Sequence, residues 1–162
     1  VELSKNKTGA LIVIERDIKL KEIISTGVTL NAEISPQLLV NIFTPNTPLH
    51  DGAVVIKDNK IAAAACMLPL ANDEDIAREL GTRHRAAIGM SKESDAIIIV
   101  VSEETGRISI AKEGTLIADL KEEAIKKILI SNIITKRFKE EDKTTILDRI
   151  KNIKNIRKKK AE

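Results

Sequence analysis

The sequence predicts an α/β domain in which a mixed β-sheet is surrounded by helices. Short apolar runs such as Thr8–Ile14 and Asp95–Val101 are typical of buried strands. Other apolar runs are joined by turn residues, as in hairpins, and stretches with helix-capping residues separate them. Because hairpins are mixed with helices and no strict strand–helix–strand repeat occurs, the pattern favours a mixed sheet over a parallel one.

In the first half of the chain, Val28–Ile34 alternates apolar and polar residues, which predicts a half-buried strand. Ser35 followed by proline predicts a helix start, with the helix continuing to about Phe43. The runs Ala53–Ile56 and Ile61–Met67 are separated by the turn sequence KDNK, which predicts a hairpin.

In the second half, Asn72 is a candidate cap for a helix over Asp73–Leu80 that ends at Gly81. A further helix is expected over Arg83–Met90, before the strand that begins at Asp95.

A strand over Arg107–Ala111 is expected to pair back on Asp95–Val101. Asp119 is the predicted cap of a long final helix, which places four apolar residues on one face. These residues are Ile125, Ile128, Leu129 and Ile133.

Composition excludes several classes of protein. Hydrophobic residues make up 43% of the 162 residues, which excludes a disordered chain. Phe43 and Phe138 are the only aromatic residues, which argues against single-stranded nucleic-acid binding by base stacking. Cys66 is the only cysteine, so a disulfide within the chain is excluded and a reducing compartment is expected.

Charge divides the chain into an expected folded domain at residues 1–135 and a basic tail, helical or flexible, at residues 136–162. The tail carries 11 Lys and Arg against 5 Asp and Glu, while the remainder has a net charge of −3. Since only the tail would attract nucleic acid, no nucleic-acid partner is expected.

Three polar clusters stand at the ends of predicted strands or helices, and the first is His50-Asp51-Gly52-Ala53. Histidine beside aspartate can bind a divalent metal, and the glycine lets the chain turn tightly beside the carboxylate. An Asp-Gly pair is, however, also common in turns that have no other role.

The second cluster, Gly81-Thr82-Arg83-His84-Arg85, combines two guanidinium groups, an imidazole and a hydroxyl at a predicted helix start. Such a group is suited to phosphate, although a solvated basic turn is the alternative. The nearby small residues, Gly81, Ala86, Ala87 and Gly89, favour the ligand, since they would let it approach closely.

The third cluster, Ser102-Glu103-Glu104, follows the Asp95–Val101 strand. Adjacent side chains point to opposite sides of an extended chain, so we expect at most one of the two carboxylates to face the ligand. Polar residues are, however, also ordinary at the end of a strand. Carboxylates for a metal and cations for phosphates are together the parts of phosphoryl or nucleotidyl transfer. Neither a P-loop nor a dinucleotide-binding fingerprint is present.

Three long segments that contain these clusters resemble the diadenylate cyclase family, which makes cyclic di-AMP from two ATP. They are NTPLHDGAVVIKDNKIAAAACMLPL, ELGTRHRAAIGMS and IIIVVSEETGRISIA, within residues 8–135. The Asp-Gly-Ala and Arg-His-Arg motifs are the family's signatures. The resemblance is closest to the membrane-anchored form, so the chain, which starts without Met, is expected to be its catalytic domain, located at the cytoplasmic face of the membrane.

The resemblance implies that Asp51 binds Mg²⁺ or Mn²⁺ and helps activate the ATP 3′-hydroxyl, with His50 and Glu104 as further metal ligands. It implies that Arg83–Arg85 and Thr82 hold the phosphates and offset charge in the transition state. The remaining residues implied to contact ATP are Gly52, Ala53, Met67, Leu68, Gly81, Ser102, Glu103 and Glu104. Close relatives often have tyrosine at the position of Met67, which leaves a softer cover for adenine here.

A product made of two identical nucleotides requires two ATP-bearing sites to face each other, so a two-fold homodimer is expected. The resemblance also implies two partners, a regulatory membrane protein and phosphoglucosamine mutase. The alternative functions are a nucleotide sensor without turnover and a nucleic-acid-binding protein. The metal-type carboxylates argue against the sensor, and the acidic body argues against the nucleic-acid-binding protein.

Overall fold

A computed structural model describes residues 1–71 and 80–134 of the chain. It divides into two compact units, Val1–Lys121 and a second that begins at Glu122. The first unit contains a seven-stranded mixed sheet with helices, as the sequence predicts. The predicted helix over residues 73–80 and the predicted tail at residues 136–162 lie outside the described residues, apart from Leu80.

The first unit begins with a short helix and alternates strands with helices up to the third strand. The elements are α1 (Glu2–Lys5), β1 (Ala10–Ile14), α2 (Lys21–Ser25), β2 (Val28–Glu33), α3 (Pro36–Ile42) and β3 (Ala53–Lys57). Helix α3 starts as predicted, because the Ser35 hydroxyl oxygen accepts the Leu38 N–H at 3.2 Å.

The remaining elements complete the sheet and add one long helix. They are β4 (Lys60–Cys66), α4 (Thr82–Glu93), β5 (Ile97–Val101), β6 (Ile108–Lys112) and β7 (Thr115–Ile117). In the second unit, α5 (Glu122–Leu129) is followed by a π-helical turn at Ile130–Ile134. Asp119 is not the cap of α5, because it has a φ of +57° and lies three residues before the helix.

The strand order is β2-β4-β3-β1-β5-β6-β7, and the pair β1–β3 is the parallel one. Three further pairings fix which strand ends lie together: β1 with β5, β3 with β4, and β2 with β4, all antiparallel. We call the end at which β1, β2 and β3 begin and β4 and β5 end the upper end of the sheet. The lower end is the opposite one, where Ile14 pairs with Ile97 and Lys57 with Lys60.

The central strands β1, β3, β5 and β6 are buried on both faces, which explains their nearly continuous apolar sequences. Helix α4 contacts β1, β5, β6 and β7 and covers one face. The core on this face is made of Leu11, Val13, Val55, Ala63, Ala86, Ala87, Met90, Ile98, Val100 and Ala111. The alternate strand residues, Ile12, Val54, Ile97 and Ile110, are also buried and point to the other face.

Candidate active site

The polar clusters predicted from the sequence all lie at the upper end of the sheet. Asp51 and Gly52 come just before β3, and Met67 and Leu68 just after β4. The Ser102–Glu104 cluster follows β5, and the Arg83 side chain at the start of α4 is bonded to it. Strand pairing, and not sequence proximity, therefore brings the acidic and basic clusters to one side of the molecule.

Gly52 allows the chain to enter β3 against the backbone of β4. Its φ is +110°, and a Cβ at this position would lie 2.8 Å from the Ala65 carbonyl carbon and 2.9 Å from the Cys66 oxygen. Ala65 itself has a φ of +54° at a break in the β3–β4 register, which is a β-bulge. Asp51 is exposed beside this close approach, so its carboxylate is free to meet a ligand from solvent.

His50 is oriented by its own loop. Its Nδ1 lies 2.6 Å from the Thr47 carbonyl oxygen. Because a carbonyl oxygen only accepts, Nδ1 carries the hydrogen, and in the neutral ring Nε2 keeps its lone pair. The half-buried imidazole is thus prepared to bind a metal through Nε2.

Arg83 forms the shortest contact between the basic and acidic clusters. Its Nη1 donates to Glu103 Oε2 at 2.6 Å, and the two side chains are 24% and 65% exposed. Gly9, just before β1, lies against this pair. Arg83 is therefore balanced by a carboxylate in the protein without ligand.

His84 is half-buried, and burial lowers the pKa of its imidazole below the ordinary value of 6.5. The negative charge of Glu104 partly opposes this effect by raising the pKa. The net direction is downward, which favours the neutral form of the His84 imidazole.

Arg85 faces the segment that follows Leu68. Its Nε donates to the Ala71 carbonyl oxygen at 3.4 Å, and its own backbone oxygen accepts the Ala71 N–H at 3.0 Å. At the helix start, a Cβ added to Gly81 would meet no heavy atom of the described residues within 4 Å, so the space beside it is open. The first backbone N–H groups of α4 adjoin this open region, as in anion sites at helix N-termini.

The small residues that follow the motif do not leave room for a ligand, and this expectation was wrong. Ala86 and Ala87 are part of the buried core. A Cβ on Gly89 would lie 2.2 Å from the Pro69 oxygen. These residues are small because α4 packs tightly against the sheet and the 69–71 backbone.

Ser102 shapes the turn after β5. Its Oγ accepts the Thr105 N–H at 3.2 Å, and its carbonyl oxygen accepts the Gly106 N–H at 2.9 Å. The hydroxyl hydrogen is not used in that bond and can still be donated to a phosphate oxygen.

The segment predicted to contact adenine is held by a threonine that the sequence did not single out. Thr26 Oγ1 accepts the Met67 N–H at 2.9 Å and donates to the Ile23 carbonyl oxygen at 2.7 Å. The Met67 side chain is 74% exposed, and Leu68 is half-buried. An apolar surface is therefore presented to solvent beside the polar groups.

The predicted metal ligands do not form a complete set within one chain. In residues 1–71 and 80–134, no three His, Cys, Asp or Glu side chains are grouped closely enough to hold a metal ion. His50, Asp51 and Glu104 are accordingly not clustered as three ligands. Phosphate oxygens of a nucleotide, or groups of a second chain, can supply further oxygen ligands to a metal at this end.

A groove of about 480 Å³ lies at the lower end of the sheet, away from these clusters. It is lined by residues including Ser91 and Asp95. The Asp95 carboxylate already accepts the Asp17 and Ile18 N–H groups, and Ser91 Oγ accepts the Gly114 N–H. These polar groups have structural partners, so the groove does not compete with the upper end as a site.

Two positioning residues, Gly9 and Thr26, were missed by the sequence analysis. Each lies in an element remote in sequence from the cluster that it contacts. Gly9 carries no signal beyond its position before an apolar strand, and Thr26 lies at the end of a short helix. Only the pairing of strands reveals their roles.

Comparison with known proteins gives a consistent result. The family model described as "DisA bacterial checkpoint controller nucleotide-binding" (DAC) matches residues 1–116. The cyclic di-AMP synthase CdaA of Bacillus subtilis is 57% identical over 127 residues, which are 78% of this chain and 46% of that protein. A diadenylate cyclase of Listeria monocytogenes is 56% identical over 133 residues, which are 82% of this chain and 49% of that protein.

The fold is also similar to solved structures. DacA from Staphylococcus aureus superposes with a TM-score of 0.78 at 47% identity, covering 80% of this chain and 87% of that one. A protein from Bacillus cereus described as membrane-spanning gives a TM-score of 0.71 at 55% identity, covering 74% and 59%.

The chain spans about half the length of the curated relatives that it matches. Within the described residues, no helix combines the length and hydrophobicity that a membrane crossing needs.

Proposed function

Because the chain belongs to the diadenylate cyclase family, we propose that it condenses two ATP into cyclic di-AMP and releases two pyrophosphates. The observation that carries this proposal is that the Asp51 loop, the start of α4 and the Met67–Leu68 segment lie at the same end of the sheet. These elements offer a carboxylate, phosphate-binding cations and an apolar surface for a base.

The divalent metal, Mg²⁺ or Mn²⁺, would be held by Asp51 and His50. Glu104 would join this set from the facing chain, because the three side chains are not grouped within one chain. The donor set fits a hard or borderline cation, because an exposed carboxylate stands next to an imidazole whose Nε2 is free to coordinate. When bound, the metal neutralises phosphate charge and makes the 3′-hydroxyl more acidic.

The chain's own residues hold the nucleotide on either side of the reacting atoms. Arg83, Arg85, the Thr82 hydroxyl and the open start of α4 bind phosphate oxygens, and neutral His84 donates a hydrogen bond. Asp51 lies beside the 3′-hydroxyl and favours loss of its proton. The 3′-oxygen forms a bond with the α-phosphorus of the second ATP, and the bond to pyrophosphate breaks.

The adenine is bound by the segment after β4 and by the chain beside it. Met67 and Leu68 cover the base, and the flexible thioether of Met67 adapts to its face. Gly52 and Ala53 bring the backbone close to the nucleotide, while Ser102 completes the site from the turn after β5.

Two such chains act together in a two-fold homodimer, because each nucleotide must attack the other. In the full-length protein, the domain lies at the cytoplasmic face of the cell membrane. A regulatory membrane protein and phosphoglucosamine mutase are proposed partners by family resemblance, and no nucleic-acid partner is proposed.

Incubation of the purified protein with ATP and Mn²⁺, followed by mass spectrometry of the products, tests this proposal. Cyclic di-AMP and pyrophosphate in a one-to-two ratio are expected. Binding of ATP without any product would instead identify a nucleotide sensor, which is the second candidate function.

A further inference from the structure

The Arg83–Glu103 pair joins two elements that the candidate site requires. Arg83 belongs to the first turn of α4, and Glu103 follows β5. Their contact at 2.6 Å is a charge-assisted hydrogen bond through a single guanidinium nitrogen, Nη1. It is the contact through which the third sequence cluster meets the second.

The geometry leaves most of the guanidinium group available. An arginine side chain has five N–H donors, and this bond uses one nitrogen of the three. The side chain is only 24% exposed. The bond therefore fixes the orientation of the guanidinium group through Nη1, while Nη2 and Nε have N–H donors that this bond does not use.

Gly9 supplies the space in which this orientation is possible. A Cβ at Gly9 would lie 2.6 Å from Arg83 Nη1, 2.9 Å from its Cζ and 3.0 Å from Glu103 Oε2. All three atoms are far ends of flexible side chains, so a methyl group would displace the pair without blocking the fold.

We propose that Glu103 and Gly9 are positioning residues that hold the Arg83 guanidinium in the orientation that binds phosphate. Glu103 acts through Arg83 and does not itself contact the nucleotide. This inference rests on the proposed function, because a phosphate ligand is what the remaining donors of Arg83 would bind.

A contribution to the stability of the fold does not by itself explain the Arg83–Glu103 pair. The Glu103 side chain is 65% exposed, and exposed ion pairs contribute little to the free energy of unfolding. Such a bond does, however, hold a flexible side chain in one orientation before the ligand binds, which reduces the entropy lost on binding. Loss of Glu103 should therefore change catalysis more than stability.

A double-mutant cycle tests the inference. Glu103→Ala alone should lower kcat/KM for cyclic di-AMP formation by about tenfold to a hundredfold, mostly through kcat, because orientation matters most in the transition state. In an Arg83→Ala background, the same substitution should change kcat/KM by less than about twofold, because the Arg83 side chain through which Glu103 acts is already absent. Glu103→Gln keeps an acceptor and should restore part of the activity.

The matched control is Glu33→Ala. Glu33 is also an exposed glutamate in an ion pair, with Lys60 at 3.6 Å, but it lies at the lower end of the sheet. This variant should keep its activity within about twofold. Gly9→Ala should behave like Glu103→Ala while retaining a native circular dichroism spectrum and a cooperative melting transition.

Additive losses from Glu103→Ala and Arg83→Ala would overturn the inference and leave the proposed function standing. Wild-type levels of activity in Gly9→Ala and Glu103→Ala would also overturn it. If the wild-type protein forms no cyclic di-AMP, the proposed function fails. The cycle is then measured on the dissociation constant for ATP, where additivity, or no binding at all, would overturn the inference separately.

Discussion

Positive charge is crowded at the three consecutive side chains Arg83–Arg85, and each side chain is stabilised in a different way. The first is paired with Glu103 at 2.6 Å, and burial lowers the pKa of the second. The third donates to the Ala71 carbonyl oxygen. Each solution leaves hydrogen-bond donors available, so the motif can be stable without ligand and still bind an anion.

The sequence predicts that these residues form a binding or catalytic site, because two arginines and a histidine in one helical turn require negatively charged groups nearby. It does not predict which acid serves each of them. Glu103 and Glu104 are indistinguishable in sequence, and the fold separates them by direction: one is bonded to Arg83, and the other acts electrostatically on His84.

Cys66 provides a pH-dependent prediction at the residue scale. Burial raises the pKa of its thiol from 9.0 to about 11. In the unfolded chain the thiol loses its proton first, so the free energy of unfolding should fall as pH rises from about 9 to about 11. Urea unfolding at several pH values should show this decrease, reduced in Cys66→Ala.

The same thiol should react slowly with a thiol reagent at about pH 8 in the folded protein and rapidly in urea, because the thiolate is the reactive form. Fast labelling of the native protein, at the rate of the unfolded chain, would contradict the burial of Cys66.

At the scale of elements, turn chemistry decided which hairpins could be predicted. Asp58 and Asn59 both have positive φ in the two-residue turn between β3 and β4, and their residue types favour that conformation. The turn Glu113-Gly114 has the same geometry, but β7 has only three residues. Periodicity cannot be recognised over so short a segment, and the strand was not predicted.

For helix α4, the element itself was predicted correctly, but the packing around its small residues was predicted wrongly. In the sequence, Ala87 and Gly89 suggest open space beside the helix, because the neighbouring residues do not show what will occupy that space. In the fold, the sheet and the 69–71 backbone fill it. Small residues on a helix therefore indicate close approach, and only the tertiary structure identifies what approaches.

The link between α2 and the end of β4 leads to a second prediction. Thr26→Val removes the acceptor for the Met67 N–H and should loosen the base-binding segment. Loss of one hydrogen bond of about 1 kcal/mol predicts about a fivefold weaker affinity for ATP, with kcat changed less. Calorimetric titration with a non-hydrolysable ATP analogue measures this.

The control is Thr115→Val, the same change at an exposed threonine at the lower end of the sheet. It should leave the affinity unchanged. Equal affinities in Thr26→Val and the wild-type protein would show that the Thr26 hydroxyl does not support nucleotide binding.

At the scale of the whole molecule, the described residues of one chain do not group three metal-ligating side chains, and the clusters stand at one end of the sheet. A second protomer meeting this end would supply further ligands and the second ATP. The two-fold symmetry of the proposed product matches this arrangement.

Dilution tests the dimer. Specific activity per chain should fall as the concentration drops below the dissociation constant of the dimer, because a lone protomer holds one ATP and has no second nucleotide to attack. Light scattering or mass photometry at the same concentrations reports the oligomeric state. Constant activity per chain in a demonstrated monomer would contradict the facing arrangement of two sites.

The Asp51 loop and the start of α4 are proposed to serve one triphosphate, and every step of the proposed reaction depends on this. The direct test is cyclic di-AMP formation by Arg83→Ala/Arg85→Ala, compared with Arg16→Ala/Lys19→Ala, which removes two cations near the lower end.

We predict that the first double variant remains folded, as judged by circular dichroism, but forms no cyclic di-AMP, because charge on the phosphates is no longer offset. The second should retain its activity. Full cyclisation by the first variant would contradict the central claim.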